Sequence, residues 1–280
     1  MRTLSEEEHK KLKEKELDIL KAFLEVCEKL NLMYFVTGGT LLGAVRHQGF
    51  IPWDDDIDVI LPRRDYEVFI SKAGEYLPDR LFLQNIHTEK EWYSNYSKIR
   101  DNHTTYIESG VGHLKINHGI YIDVFPLDNY PDTFFGRTVL ETKLRMLDRR
   151  LYDVYRGDRT GLSFKARLVQ MITRAVWPDL KKVSFIKERL ISSVPDSSYV
   201  RVYCGAWGRR EIVKKEWYDE AVKLPFEDIT VNAAKGYKEY LSHMYGDYMT
   251  LPPEEERKGH HPVEAFDPEH GQGDTEKERD

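Results

Sequence analysis

The stretch Val36-Thr37-Gly38-Gly39-Thr40-Leu41-Leu42-Gly43-Ala44-Val45-Arg46, followed after a short spacer by Pro52-Trp53-Asp54-Asp55-Asp56-Ile57-Asp58-Val59-Ile60-Leu61, decides how this chain is read. Met33 to Val36 is a short apolar and aromatic run that fits a buried strand. Gly38-Gly39 behind it lets the backbone approach a ligand closely, with N–H groups turned toward an anion. Thr40 is placed to cap a helix from Leu41 to Arg46, whose N-terminal dipole also favours phosphate. On the next strand side chains alternate between faces, so Asp56 and Asp58 project to one side and Ile57 and Val59 into the core. Two carboxylates on a rigid element suit a hard divalent cation. The competing reading is a solvated acidic turn after a glycine bend. It does not explain why two charges stand in Asp-Ile-Asp-Val-Ile-Leu, where an unpaired charge is expensive.

A third acid stands in His118-Gly119-Ile120-Tyr121-Ile122-Asp123-Val124-Phe125-Pro126-Leu127-Asp128. Ile120, Ile122 and Val124 form one face of a strand, with Tyr121, Asp123 and Phe125 on the other. Asp123 either joins the metal pair, as a ligand or as the base for an attacking hydroxyl, or forms an internal salt bridge with Lys98 or Arg100. Asp128, past Pro126, reads as a turn or helix-cap residue.

These segments, from Gly38 to Arg46, Gly49 to Val59 and His118 to Asp128, resemble the LicD family. So does the tail Tyr245-Gly246-Asp247-Tyr248-Met249-Thr250-Leu251-Pro252-Pro253, with Arg257 and His260-His261 after it. The motifs keep the family order from near residue 17 to about residue 262, while Thr133 to Phe226 carries none that aligns. The resemblance implies an α/β (α+β) nucleotidyltransferase-like core, a mixed sheet flanked by helices, with a helical and partly basic appendage. It implies metal-dependent transfer of phosphocholine, or a similar phospho-alcohol such as ribitol phosphate, from a CDP-alcohol such as CDP-choline. The acceptor would be a sugar hydroxyl of a teichoic acid, lipopolysaccharide or capsule precursor, and CMP the product. By position Asp56 and Asp58 take the roles of ligands for Mg²⁺, or Mn²⁺, and Asp123 that of the third carboxylate. Gly38, Gly39 and Thr40 take the role of a phosphate cradle. The carboxylates alone fit two other readings: a true nucleotidyltransferase that releases pyrophosphate, and a non-catalytic glycan- or nucleotide-binding module.

Several residues carry two readings each. Arg46, Lys98 and Arg100 would neutralise a pyrophosphate or the departing CMP, or serve as structural partners of a buried Asp. Trp53 would stack on cytosine or face a quaternary ammonium, or act as a packing anchor beside Pro52. His260-His261 lacks a Cys or further His at zinc-ligand spacing, so phosphate positioning or tail packing is the expectation.

Composition agrees with an enzyme of this kind. A chain of 280 residues, 40% hydrophobic and 12% aromatic, can bury a large core. Its net charge of −6 argues against a nucleic-acid partner. Cys27 and Cys204 are too few for a disulfide framework and read as reduced thiols. The first residues lack the apolar run of a signal peptide and no stretch is long enough to span a bilayer. The expectation is a cytoplasmic enzyme, peripheral at the inner face of the membrane where it meets a lipid-linked glycan.

Four regions are expected: a catalytic core over 1–130, a helical, acceptor-side region over 131–226, a segment over 227–266 packing back on the core, and a disordered tail over 267–280. Ser5 with Glu8 forms a capping box for a helix carrying Leu17, Leu20, Leu24, Cys27 and Leu30 inward. Further expectations are a helix near Arg64 to Ala73, strands at Leu81–Gln84, Ser94–Asp101 and Thr104–Glu108, and a helix over Ala233–Tyr245 ended by Gly246. From Thr133 to Lys182 there are twelve Lys or Arg against five Asp or Glu. Phe164, Leu168, Met171, Ile172, Ala175 and Val176 line one side of a helix there, beside Lys165, Arg167 and Arg174. That helix is either a surface drawn to anionic lipid or, the commoner case, an ordinary amphipathic helix with a solvated basic face.

Overall fold

The computed structural model describes residues 2–155, 164–257, 259 and 262–272. His260 and His261, and the tail beyond residue 272, lie outside the described residues.

The chain opens with α1 (Glu6–Leu30), which starts where the capping box predicts: Ser5 Oγ accepts from the Glu8 N–H, and the Glu8 carboxylate accepts from the Ser5 N–H. Its buried stripe is Leu12, Glu16, Ile19, Leu20, Phe23, Val26 and Cys27, with Leu17, Leu24 and Leu30 packed at its edge. Then come β1 (Phe35–Val36), α2 (Gly38–His47), β2 (Asp58–Pro62), α3 (Arg63–Lys72), β3 (Leu81–Gln84), β4 (Ser97–Asp101), β5 (Thr105–Glu108) and β6 (Tyr121–Tyr130). Three helices follow, α4 (Phe134–Tyr155), α5 (Phe164–Val176) and α6 (Leu180–Ser192), before β7 (Tyr199–Arg201) and β8 (Val213–Lys214). The chain continues through β9 (Ala221–Phe226), β10 (Ile229–Ala234), α7 (Tyr237–Tyr245) and β11 (Val263–Asp267).

The central mixed sheet runs β1-β2-β6-β4-β3, with β7 and β8 added along the far half of β6. Among the described strands only β2 and β6 pair in parallel, and they sit in the middle of the sheet. Ile57, Val59, Leu61, Ile99, Ile122 and Val124 point to one face, closed by Phe23 of α1 and Phe69 of α3, whose rings meet edge to face at 5.4 Å. The opposite face carries the charges. Asp58 stands opposite Asp123, Asp123 opposite Lys98, and Lys98 opposite Gln84, one row across four strands.

Four expectations are corrected here. Asp128 is not a turn residue: β6 continues through Pro126, where β4 has already ended opposite Val124 and leaves no partner on that side to be deprived of a donor. Asp128 is buried and accepts both arms of Arg63, at 2.6 and 2.7 Å. The helix expected over Ala233–Tyr245 is instead the end of the β9–β10 hairpin, then α7, with Gly246 at the predicted C-cap at φ 69°. The apolar side of α5 does not face a core: Leu168, Met171, Ile172 and Val176 are all exposed. At the other end, Asp267 belongs to β11, which pairs with β5, and the Thr105 hydroxyl donates to His270 O.

Candidate active site

The glycine turn works through what packs on it. Gly38 sits at φ +55°, a left-handed conformation that an L side chain rarely adopts, and a Cβ there would lie 3.0 Å from Asp58 Oδ2. A Cβ on Gly39 would collide with the Asp54 carboxylate. Both glycines therefore let two carboxylates come down onto the N-terminus of α2, whose dipole favours negative charge. That helix begins at Gly38, three residues earlier than expected, so Thr40 is inside its first turn and not its cap. The Thr40 hydroxyl accepts from the Asp58 N–H at 2.8 Å, pinning the start of β2 to α2.

Asp56 lies before β2 rather than on it. It belongs instead to a tight turn in which Asp54, Asp55 and Asp56 each bring a carboxylate oxygen within 4.8 Å of the others. Burial pushes the Asp58 carboxyl well up from its ordinary range, and the negative charges of Asp56, Asp123 and Asp54 push it further. Asp54 and Asp55 were not singled out from the sequence, although Asp54, Asp56 and Asp58 alternate there. Glu16 was also missed. It is 2% exposed beneath the acidic turn, its carboxyl is raised by burial and by Asp56, Asp55 and Asp54, and its Oε2 has no hydrogen-bond partner among the described residues. The signal was a glutamate in the buried stripe of α1, between Leu12 and Ile19. Lys13, one turn away from the stripe, gives its ammonium to Ile51 O and Pro52 O at 3.0 and 2.8 Å and is drawn toward Asp54 and Glu16.

Beside this cluster Asp123 is paired with Lys98, whose Nζ is 3.0 Å from Oδ1. Burial raises the Asp123 carboxyl, and Lys98 partly offsets it. Lys98 also stands 3.2 Å from the centre of the Tyr121 ring and 3.6 Å from Glu108. Arg100, fully buried, does not join a donor-binding surface: its guanidinium donates to Gln84 Oε1 and Gly119 O, both at 2.7 Å, and approaches Glu108. It braces the row holding Lys98 and Asp123.

Arg46 and Trp53 meet on the outer side of the acidic turn. The guanidinium carbons of Arg46 and Arg257 lie 5.9 and 5.6 Å from the Trp53 ring, so two cations flank one indole. Arg46 also donates to Tyr248 O. The C-terminal helix supplies two further groups. The Tyr240 hydroxyl receives Thr37 Oγ1 at 3.0 Å and the Gly38 N–H, and Tyr245 feels both Asp58 and Asp54. Tyr245 had appeared in the tail motif, but no signal in the sequence tied Tyr240 to the glycine turn.

Carboxylate oxygens are the donor set that Mg²⁺ and Mn²⁺ prefer, and those of Asp54, Asp55 and Asp56, all within 4.8 Å of one another, would suit such an ion. The arrangement as a whole sets a helix N-terminus beside a cluster of carboxylates, a pairing whose chemistry would suit a phosphate and a hard cation together.

Residues 31–150 match the family model described as LicD/FKTN/FKRP, nucleotidyltransferase domain. The chain is 30% identical to the lipopolysaccharide cholinephosphotransferase LicD of Haemophilus influenzae over 263 residues, which cover 89% of this chain and 94% of that protein. It is 30% identical over 129 residues to human ribitol 5-phosphate transferase FKRP, covering 45% of this chain and 21% of the human protein. An uncharacterised protein of Rickettsia prowazekii is 34% identical over 139 residues, 48% of each chain. The chain belongs to the LicD family.

Proposed function

We propose that this chain is a phosphotransferase that moves a phospho-alcohol onto a cell-surface glycan precursor. Phosphocholine is the first candidate group, as in the name of the Haemophilus relative, and a CDP-alcohol the donor. The observation that carries the reading is the in-register pair Asp58 and Asp123 on neighbouring parallel strands, with Lys98 on one side and the N-terminus of α2 on the other. Asp54, Asp55 and Asp56, with Asp58 close by, would hold Mg²⁺, which when bound supplies charge neutralisation for the donor's pyrophosphate.

The chain's own residues account for the rest. The backbone at Gly39 and Thr40 faces the phosphates. Trp53 holds Arg46 and Arg257 in place, and these two cations meet the donor's phosphates. Asp123, with its proton affinity raised by burial, takes the proton of the sugar hydroxyl. The sugar oxygen bonds to the phosphorus bearing the alcohol, the bridging P–O bond breaks, and CMP departs with that electron pair. Lys98, 3.0 Å from Asp123, keeps that carboxylate oriented.

The exposed side of α5 supports contact with an anionic bilayer. Leu168, Met171, Ile172 and Val176 project outward beside Arg167 and Arg174, the apolar and basic faces of an interfacial helix. No described helix is long and apolar enough to cross a membrane. A lipid-linked acceptor would bring its glycan to such a surface.

The test is CMP release from CDP-choline with Mg²⁺ and a cell-envelope glycan-lipid extract, wild type beside Asp58→Asn. Wild type alone should form CMP and label the extract, with the variant down by about a thousandfold. Pyrophosphate released from a nucleoside triphosphate would select the nucleotidyltransferase alternative, and full activity in Asp58→Asn would remove the site assignment.

A further inference from the structure

A cavity of about 670 Å³ opens between α4, α6, the segment before β4 and the loop after β7. Its size is that of a small-ligand site. Tyr93, Tyr96, Tyr152 and Tyr203 form its walls, and Arg145 and Arg149, one helical turn apart on α4, stand at its mouth. The cavity abuts the Asp123 side of the active site. The Tyr96 ring centre is 5.8 Å from Lys98 Nζ, which in turn is 3.0 Å from Asp123 Oδ1.

The charges in it point one way. Both carboxylates are already engaged, Glu141 by Arg201 at 2.6 Å and Asp148 by Lys187 at 2.8 Å. Arg145 and Arg149 are exposed and have no ion-pair partner among the described residues. Four cations against two carboxylates leave the lining net positive. A quaternary ammonium would be repelled there despite the tyrosines. A sugar chain bearing an acidic substituent would be attracted: its C–H faces lie on the phenol rings, its hydroxyls reach the phenolic oxygens, and its anionic group meets the guanidinium forks.

We infer that this cavity is the acceptor subsite, and that it selects a glycan carrying a phosphate or another acidic group near the hydroxyl that is modified. The inference rests on the transferase reading above for its place in the reaction, but the binding itself is measurable without it. The sugar enters past Arg145 and Arg149, lies along Tyr152 and Tyr96, and presents its hydroxyl toward Asp123.

The test uses the full chain with a synthetic phosphorylated oligosaccharide and its dephosphorylated counterpart, in wild type and in Arg145→Ala/Arg149→Ala. Binding is read by saturation-transfer NMR and calorimetry without donor, and acceptor KM by CMP release. Wild type should bind the phosphorylated sugar at least fivefold more tightly than its counterpart. The double variant should weaken it about tenfold, erase that preference and raise acceptor KM to match, while donor KM moves less than twofold. Arg145→Lys/Arg149→Lys should restore part of the affinity, because the charge returns without the fork. Equal binding of the two sugars by wild type, or an unchanged acceptor KM in the double variant, would overturn the inference. Discriminating binding with no CMP formed from any CDP-alcohol would leave the subsite standing and bring down the transferase reading instead.

Discussion

Lys98→Met separates the electrostatic account of the site from a merely steric one. Lys98 is 3% exposed and is the cation nearest Asp123, with Glu108 on its other side and the face of Tyr121 beneath it. Methionine keeps most of the volume and removes the charge. Asp123 would then remain buried beside Asp58 without its counter-ion, and breaking a buried pair by deleting one partner costs about 3–5 kcal/mol. That is a large share of the roughly 5–15 kcal/mol that holds a domain together. The pH dependence gives the sharper test. Burial already raises the Asp123 carboxyl above its ordinary value, and losing Lys98 raises it further. A carboxyl raised in the folded state binds more protons there than in the unfolded chain, so its contribution to stability falls as pH rises. The variant should therefore be several kcal/mol weaker than wild type at pH 8, and by less at pH 5. Urea unfolding of both proteins in chelator at those two pH values measures this, with Lys98→Arg as the control that keeps the charge. A loss below about 1 kcal/mol at pH 8, or an equal loss at both pH values, would refute the assignment of Lys98 as the charge partner of Asp123.

Glu211 offers a second pH test. Burial pushes its carboxyl up to about 7, so the wild-type chain should lose stability relative to Glu211→Gln as pH rises from about 4.5 to 7, by about 3 kcal/mol, measured as the difference in urea midpoints. Gly39→Ala should displace the Asp54 carboxylate from the start of α2 and lower turnover by about a hundredfold, read by CMP release, with circular dichroism unchanged. Arg63→Ala should cost about 3–5 kcal/mol by stranding Asp128, shown by thermal unfolding, since that ion pair is structural and lies away from the acidic turn. Met171→Asp/Ile172→Asp should abolish sedimentation with anionic vesicles while leaving the unfolding midpoint within a degree or two, because both side chains are exposed.

The parts of the fold legible in the sequence are those fixed by local chemistry. Ser5 with Glu8 forms its capping box, Leu81–Gln84 forms its strand, and Gly246 ends α7, because caps, alternation and positive φ are decided within a few residues. What local pattern could not decide depended on distant partners. Asp128 reads as a turn residue after a proline, but Arg63 from another segment holds it in the strand. Ala233 to Tyr245 has a helical composition, yet its first residues pair with β9. The apolar line of α5 is visible in the sequence, while its exposure is not, since periodicity identifies a face and not what covers it. The same limit applied to the site. Asp58 and Asp123 were visible as charges in apolar strands. Their contact in register, the tyrosines of α7 and Glu16 under the acidic turn are consequences of tertiary packing.

The balance of charge around the acidic turn suggests how the site is held in its working form. Glu16, Asp54, Asp55, Asp56, Asp58 and Asp123 lie close enough to act on one another, and Lys13, Lys98 and the N-terminus of α2 are among the groups that oppose them. Such a cluster resists compaction unless protons or a cation offset it, and burial has already raised Asp58 and Glu16 in that direction. A divalent cation that binds the folded chain stabilises it by mass action, about 2.7 kcal/mol when its concentration is a hundred times its Kd. Magnesium should therefore raise the unfolding midpoint of wild type by several degrees. The rise should be lost in Asp54→Asn/Asp56→Asn, which removes two of the carboxylates that would hold the ion. Equal magnesium shifts in the two proteins would mean that the ion binds elsewhere.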